Sequence, residues 1–115
     1  MDNSMDNLLD TYLFETNSLL EQLDELLINA EKDRDFTSDE VFRIMHTIKG
    51  SSAMLEFDSL MTIAHHIEDL FFYIREHGME GIDSSSKTDL FNLMFKSTDQ
   101  LREEIQKVEN NEPLS

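Results

Sequence analysis

The chain has no cysteine, one proline and three glycines among its 115 residues. Without cysteine there is neither a disulfide framework nor a thiolate metal site. With so little proline and glycine, almost nothing interrupts a helix, and strand-type runs of Val, Ile and Thr are scarce. Three glycines also leave no glycine-rich loop to cradle a nucleotide. Basic residues are few as well. Nine Lys and Arg stand against 25 Asp and Glu, a formal charge of −16. Such a surface repels nucleic-acid backbones and anionic lipid, and favours a protein partner with a basic face. No apolar run approaches the roughly 20 residues needed to span a membrane. Met1-Asp2-Asn3-Ser4 has neither the basic nor the apolar part of a signal peptide. Together these absences point to the cytoplasm.

What is present is helical periodicity. Hydrophobic residues make up 39% of the chain, enough for one small folded domain. Apolar positions recur every three or four residues from Met5 through Leu8, Leu9, Tyr12, Leu13, Leu19, Leu20, Leu23, Leu26 and Leu27 to Ala30. Glu31-Lys32-Asp33-Arg34-Asp35 reads as a charged connection. Thr37 with Glu40, and Phe36 with Val41, form a capping box and a hydrophobic staple for a second helix from Ser38 to about Leu55. Its stripe is Val41, Ile44, Met45, Ile48, Ser52 and Leu55. Asp58 or Ser59 caps a third helix, whose stripe is Leu60, Ile63, Ala64, Ile67, Leu70, Phe71 and Ile74 and which stops at His77-Gly78. Met79 to Ser85 reads as a loop. A fourth helix starts near Ser86 and carries Leu90, Phe91, Leu93, Met94, Phe95, Leu101, Ile105 and Val108. The predicted fold is all-α, an antiparallel up-and-down four-helix bundle over residues 1–109. Residues 110–115 read as a frayed tail or the beginning of a linker. The methionines and phenylalanines read mostly as core filler.

The second helix holds the run His46-Thr47-Ile48-Lys49-Gly50. At about 100° per residue, His46 lies at the edge of the buried face, with Phe42 and Lys49 on its core side. Helical side chains lean toward the N-terminus, so the residue at i+4 covers the one at i. For His46 that residue is Gly50, which leaves the imidazole open to an incoming protein. Lys49, one turn along, can offset the charge of a phosphoryl group. On the third helix, His65 and Glu68 share a flank with Met61 and Phe72. Packed beside His46, Glu68 would accept from one imidazole nitrogen and leave the other free as a nucleophile. His65 would stand behind that pair. His66 points elsewhere, and His77 suits a helix C-terminus.

Three segments carry a family resemblance: Phe42-Arg43-Ile44-Met45-His46-Thr47-Ile48-Lys49-Gly50-Ser51-Ser52, Ala64-His65-His66-Ile67-Glu68-Asp69-Leu70 and, in the last helix, Asp89-Leu90-Phe91-Asn92-Leu93-Met94-Phe95-Lys96-Ser97-Thr98-Asp99. The chain resembles a histidine phosphotransfer (HPt) domain, above all the N-terminal phosphotransfer domain of chemotaxis histidine kinases. The resemblance runs from about Leu8 to Val108. It implies His46 as phosphoacceptor and matches Lys49, Gly50, His65 and Glu68 to the family's site positions. It also implies a four- or five-helix domain and ATP bound by a separate kinase domain. The resemblance further implies onward transfer to an aspartate on a response regulator of CheY type. As an isolated domain the chain is then expected to be a monomer that carries no cofactor of its own. The chain departs from the family at Glu56, where glycine is common, and a changed helix end is expected there.

A stand-alone phosphorelay shuttle and a non-catalytic helical adaptor remain as other readings. A metal-binding bundle fits poorly. Di-iron bundles need Glu three residues before His, and here those positions are Arg43, Thr62, Ile63 and Ile74.

Overall fold

Each of the four periodic stretches is a helix in the computed structural model. Helix α1 spans Asn3–Asp33, α2 Ser38–Met54, α3 Asp58–His77 and α4 Ser84–Glu109. The structure describes residues 3–33, 38–77 and 84–115. Phe36 and Thr37, expected to staple and cap α2, lie outside the described residues, as do Gly78 and residues 79–83. The apolar pattern ends at Ala30, yet α1 continues through Glu31, Lys32 and Asp33. Nothing in that charged run breaks a helix, and Glu and Lys are good helix formers. Ser84 and Ser85, expected in a loop, begin α4.

α1 packs on α2 and α4, and α3 packs on α2 and α4, so each helix neighbours the next around the bundle. The α1–α4 pair is antiparallel. Asn17 bonds Glu109 at 3.0 Å, and further along α1 both the Leu20 carbonyl and Asp24 accept from Arg102. At 31 residues α1 is about 46 Å long, which draws the molecule out to 55 × 23 × 22 Å.

The core is built from the predicted stripes. Leu20, Leu23 and Leu27 of α1 meet Val41, Met45 and Ile48 of α2, Leu60, Ala64 and Phe71 of α3, and Met94, Leu101 and Ile105 of α4. Among the described side chains, two positions leave their stripes: Leu8 and Leu93 are about half exposed. Periodicity locates the centre of an apolar face but not its width. Nor are the large apolar residues all core filler, because Phe14, Met54 and Phe72 are exposed.

The turn between α2 and α3 fixes how these two helices meet. The Glu56 N–H bonds the Ala53 carbonyl at 3.1 Å, and the Phe57 N–H bonds the Ser52 carbonyl at 2.8 Å. That pairing is a Schellman motif, which needs a left-handed residue at Glu56. Glu56 has φ 63°. The expected change at this helix end is thus one of residue, not of shape: Glu56 takes a backbone conformation suited to glycine. α1 clamps the turn. The Tyr12 hydroxyl pairs with Ser52 Oγ at 2.8 Å, and its ring meets Phe57 with centroids 5.3 Å apart. Burial pushes the Tyr12 hydroxyl's pKa up, against the lowering effect of its bonds with Ser52 and Thr16.

The tail, read as frayed or as the beginning of a linker, turns back toward α4. Asn111 has φ 58° and its N–H bonds the Val108 carbonyl, while the Glu112 N–H reaches Lys107. This second Schellman turn brings Leu114 against the core and the Ser115 amide onto Glu104 at 3.0 Å. Lys107 bridges Glu104 and the Ser115 hydroxyl at 3.1 and 2.7 Å. Burial raises the pKa of Glu104, but these bonds outweigh it and hold the carboxyl below its ordinary range.

Candidate functional site

Two hydroxyl side chains of α2 that are not buried in the core are satisfied within the helix. Thr47 Oγ1 donates to the Arg43 carbonyl, and Ser51 Oγ to the Thr47 carbonyl, each at 3.0 Å. Two side chains on this helix reach outward to α3. His46 Nδ1 pairs with Glu68 Oε2, and Lys49 Nζ donates to Glu68 Oε1 at 2.6 Å. One carboxylate thus holds both. Exposure is divided unequally: the His46 side chain is 65% accessible, Lys49 29% and Glu68 8%.

A buried carboxylate resists ionisation, because the low-dielectric surroundings disfavour charge. At Glu68 that effect is overcome by the bonds from Lys49 and His46, so its pKa stays below the ordinary value. An ionised Glu68 accepts only. It therefore holds a proton of the imidazole on Nδ1, and in the neutral ring the lone pair is then on Nε2. The arrangement provides a nucleophilic nitrogen backed by a negative charge.

Gly50 stands at an open place among the described residues. A Cβ built there meets nothing within 4 Å. The slim neighbours divide their tasks. Ser51 bonds its own helix, Ser52 is buried against Tyr12, and Ala53 is exposed. Phe42 lies one turn before His46, its ring within 13° of parallel to the imidazole at 6.2 Å between centroids. Phe72 of α3 meets Phe42 at 6.3 Å.

His65 is placed differently from the expectation. Its Nε2 faces Asp69 Oδ2 at 3.5 Å across one turn of α3, and both side chains are exposed. Asp69 was not singled out from the sequence, although its i,i+4 spacing from His65 was the available signal. Donor atoms of His65, Glu68 and Asp69 lie within 4.8 Å of one another. Both Glu68 oxygens already serve His46 and Lys49, so a cation held by these three would have to share a Glu68 oxygen with one of those bonds. His66 is exposed. Lys49, read from the sequence as a charge waiting for a phosphoryl group, is engaged with Glu68.

A family model described as Hpt domain matches residues 7–111. The chain belongs to the Hpt domain family. This Hpt domain is 35% identical over 105 residues to the chemotaxis protein CheA of Borreliella burgdorferi, covering 90% of this chain and 12% of that one. It is 28% identical over 106 residues to the chemotaxis protein CheA of Bacillus subtilis, covering 90% of this chain and 15% of the relative. It is 27% identical over 103 residues to the sensor histidine kinase CheAY of Helicobacter pylori, covering 87% of this chain and 12% of the relative. The domain thus spans only a small part of the length of the curated relatives it matches. No solved structure matches the chain significantly. No described helix of the domain is long and apolar enough to cross a membrane.

Proposed function

We propose that this Hpt domain carries the phosphoryl group of a chemotaxis histidine kinase, with His46 as the acceptor. One observation carries the reading. An imidazole that is 65% accessible has its Nδ1 held by a buried, ionised carboxylate, so the other nitrogen is both reactive and reachable. Two relatives that cover most of this chain are named chemotaxis protein CheA and a third is named sensor histidine kinase CheAY, which supports the same assignment.

ATP is bound by a separate kinase domain, and this chain presents the nucleophile. The Nε2 lone pair attacks the γ-phosphorus. An N–P bond forms as the bond from the γ-phosphorus to the β–γ bridging oxygen breaks, and ADP leaves. There is little covalent chemistry for the domain to perform, so positioning and charge decide the rate. The ring gains positive charge as the bond forms, and Glu68 offsets it through the Nδ1 proton. Lys49 keeps Glu68 ionised and in place, and its ammonium lies one turn from the incoming phosphoryl oxygens. Gly50 leaves the approach clear. In the second transfer an aspartate carboxylate of a CheY-type response regulator attacks phosphorus, the N–P bond breaks, and the lone pair returns to Nε2. The −16 charge guides the domain onto basic faces of its partners.

The test mixes the domain with labelled ATP and the catalytic domain of a chemotaxis kinase. Acid-labile, base-stable label on the wild-type chain, absent from His46→Gln, is the expected result. Label that persists in His46→Gln, or a wild-type chain that takes none, rejects the assignment.

A further inference from the structure

Glu68 fixes which nitrogen of His46 carries the proton, but one hydrogen bond does not fix the plane of the ring. An exposed histidine on a helix samples several rotamers, and only some bring Nδ1 to Glu68. The ring must also lie somewhere along the helix. Helical side chains lean toward the N-terminus, so His46 lies back over the turn that holds Phe42, away from the open side at Gly50. There it finds an aromatic face nearly parallel to its own, 6.2 Å away and within 13°. Phe42 is itself half-buried against the core and meets Phe72 across the α2–α3 seam at 6.3 Å. Imidazole, Phe42 and Phe72 thus form one aromatic row crossing between the helices that supply His46 and Glu68. Such ring contacts are within the 4.5–7 Å range of favourable aromatic pairs.

We propose that Phe42, buttressed by Phe72, is a positioning residue for the phosphotransfer reaction: it holds the His46 imidazole in the rotamer that meets Glu68 and aims Nε2 outward. The proposal rests on His46 being the phosphoacceptor. Glu68 sets the tautomer and Phe42 sets the orientation, so the two constraints act on different freedoms of the same ring. The stack also explains why nothing is required at position 50. The ring is supported from the N-terminal side, and the C-terminal side is left to the partner.

The experiment compares Phe42→Ala, Phe42→Leu, Phe42→Tyr and Phe72→Ala. The His46 rotamer is read from NMR side-chain couplings, and reactivity from phosphorylation by phosphoramidate. In that reaction Nε2 bonds to phosphorus as the donor's own P–N bond breaks and ammonia leaves, so no protein has to dock. Circular dichroism confirms the folded state of each variant. An aromatic pair contributes enough to change populations about 2- to 10-fold. Phe42→Ala and Phe42→Leu are therefore expected to average the His46 couplings and slow phosphorylation by that factor. Phe42→Tyr keeps both near wild type. Phe72 is 53% exposed, so Phe72→Ala stays folded and gives a smaller change in the same direction. Unchanged couplings and rate in Phe42→Ala would overturn the proposal. So would full recovery in Phe42→Leu, which replaces apolar volume without a ring. If the wild-type domain accepts no phosphoryl group, the phosphoacceptor reading fails, and the couplings alone still decide whether Phe42 orients the ring.

Discussion

Consider replacing Gly50 with alanine, and then with leucine. Glycine inside a helix lowers stability by about 1 kcal/mol relative to alanine, because its backbone is freer in the unfolded chain. That loss is tolerated at some sites because a methyl group would collide with a neighbour. Here it would not: a Cβ at position 50 meets nothing within 4 Å. Gly50→Ala is therefore expected to stabilise the fold by about 1 kcal/mol, which raises the melting temperature of a domain this size by roughly 4 °C. Gly50→Leu projects into the same open space and keeps the fold. On a helix the side chain at i+4 leans over the one at i, so these side chains enter the space beside His46, and phosphorylation by a kinase domain should fall modestly for alanine and at least about 10-fold for leucine, a barrier increase near 1.4 kcal/mol. Thermal melts and a time course of labelling read the two effects separately. The reasoning predicts opposite signs, with stability up and transfer down. A Gly50→Ala chain that melts lower would show that glycine is kept for packing. A Gly50→Leu chain phosphorylated at the wild-type rate would show that access is not its purpose.

Three further outcomes follow from the fold. Glu56 sits at φ 63°, so Glu56→Gly should raise stability by about 1 kcal/mol in chemical denaturation while Glu56→Ala leaves it unchanged; equal effects would remove backbone strain as the cause. Glu68 and Glu104 bind protons more weakly in the folded than in the unfolded chain, so their stabilising contributions are complete above the ordinary value of 4.5 and are lost as pH falls through the folded-state pKa values. Acid also relieves the −16 self-repulsion, so the comparison is with Glu68→Gln: the wild type should lose its advantage over that variant below about pH 4.5, and an advantage that grows in acid would reverse the sign of the argument. Tyr12→Phe leaves Ser52 Oγ without its partner in the core and should lower stability by about 1–2 kcal/mol, part of which returns in Tyr12→Phe with Ser52→Ala; additive losses in the double variant would mean that the two hydroxyls are not coupled.

Helix positions and the centre of each apolar face were legible because spacing alone carries them. The meeting of His46 and Glu68 was legible too, since each lay on the flank of its stripe and packing two helices brings flanks together. Other features depend on distances that spacing does not encode. Lys49 reaches Glu68 because its long side chain can span the seam, and one turn of separation from His46 could not reveal which of the two it would meet. His65 had two acidic neighbours, Glu68 at i+3 and Asp69 at i+4. The structure pairs it with Asp69 because Glu68 is turned inward toward α2. The contacts of the tail were hidden for a different reason. Asn110-Asn111-Glu112-Pro113 looks like loop composition, but Asn111 tolerates the left-handed turn that sends Leu114 back to the core.

The central claim is that His46 reacts through Nε2 while Glu68 holds Nδ1. Nitrogen-15 NMR of the phosphorylated domain tests it directly, because the two ring nitrogens give distinct shifts and couplings to phosphorus. Phosphorus coupled to Nε2 of His46, with the Nδ1 proton retained and lost to solvent exchange faster in Glu68→Gln, is the predicted result. Phosphorus on Nδ1, or on another of the histidines, would contradict the account.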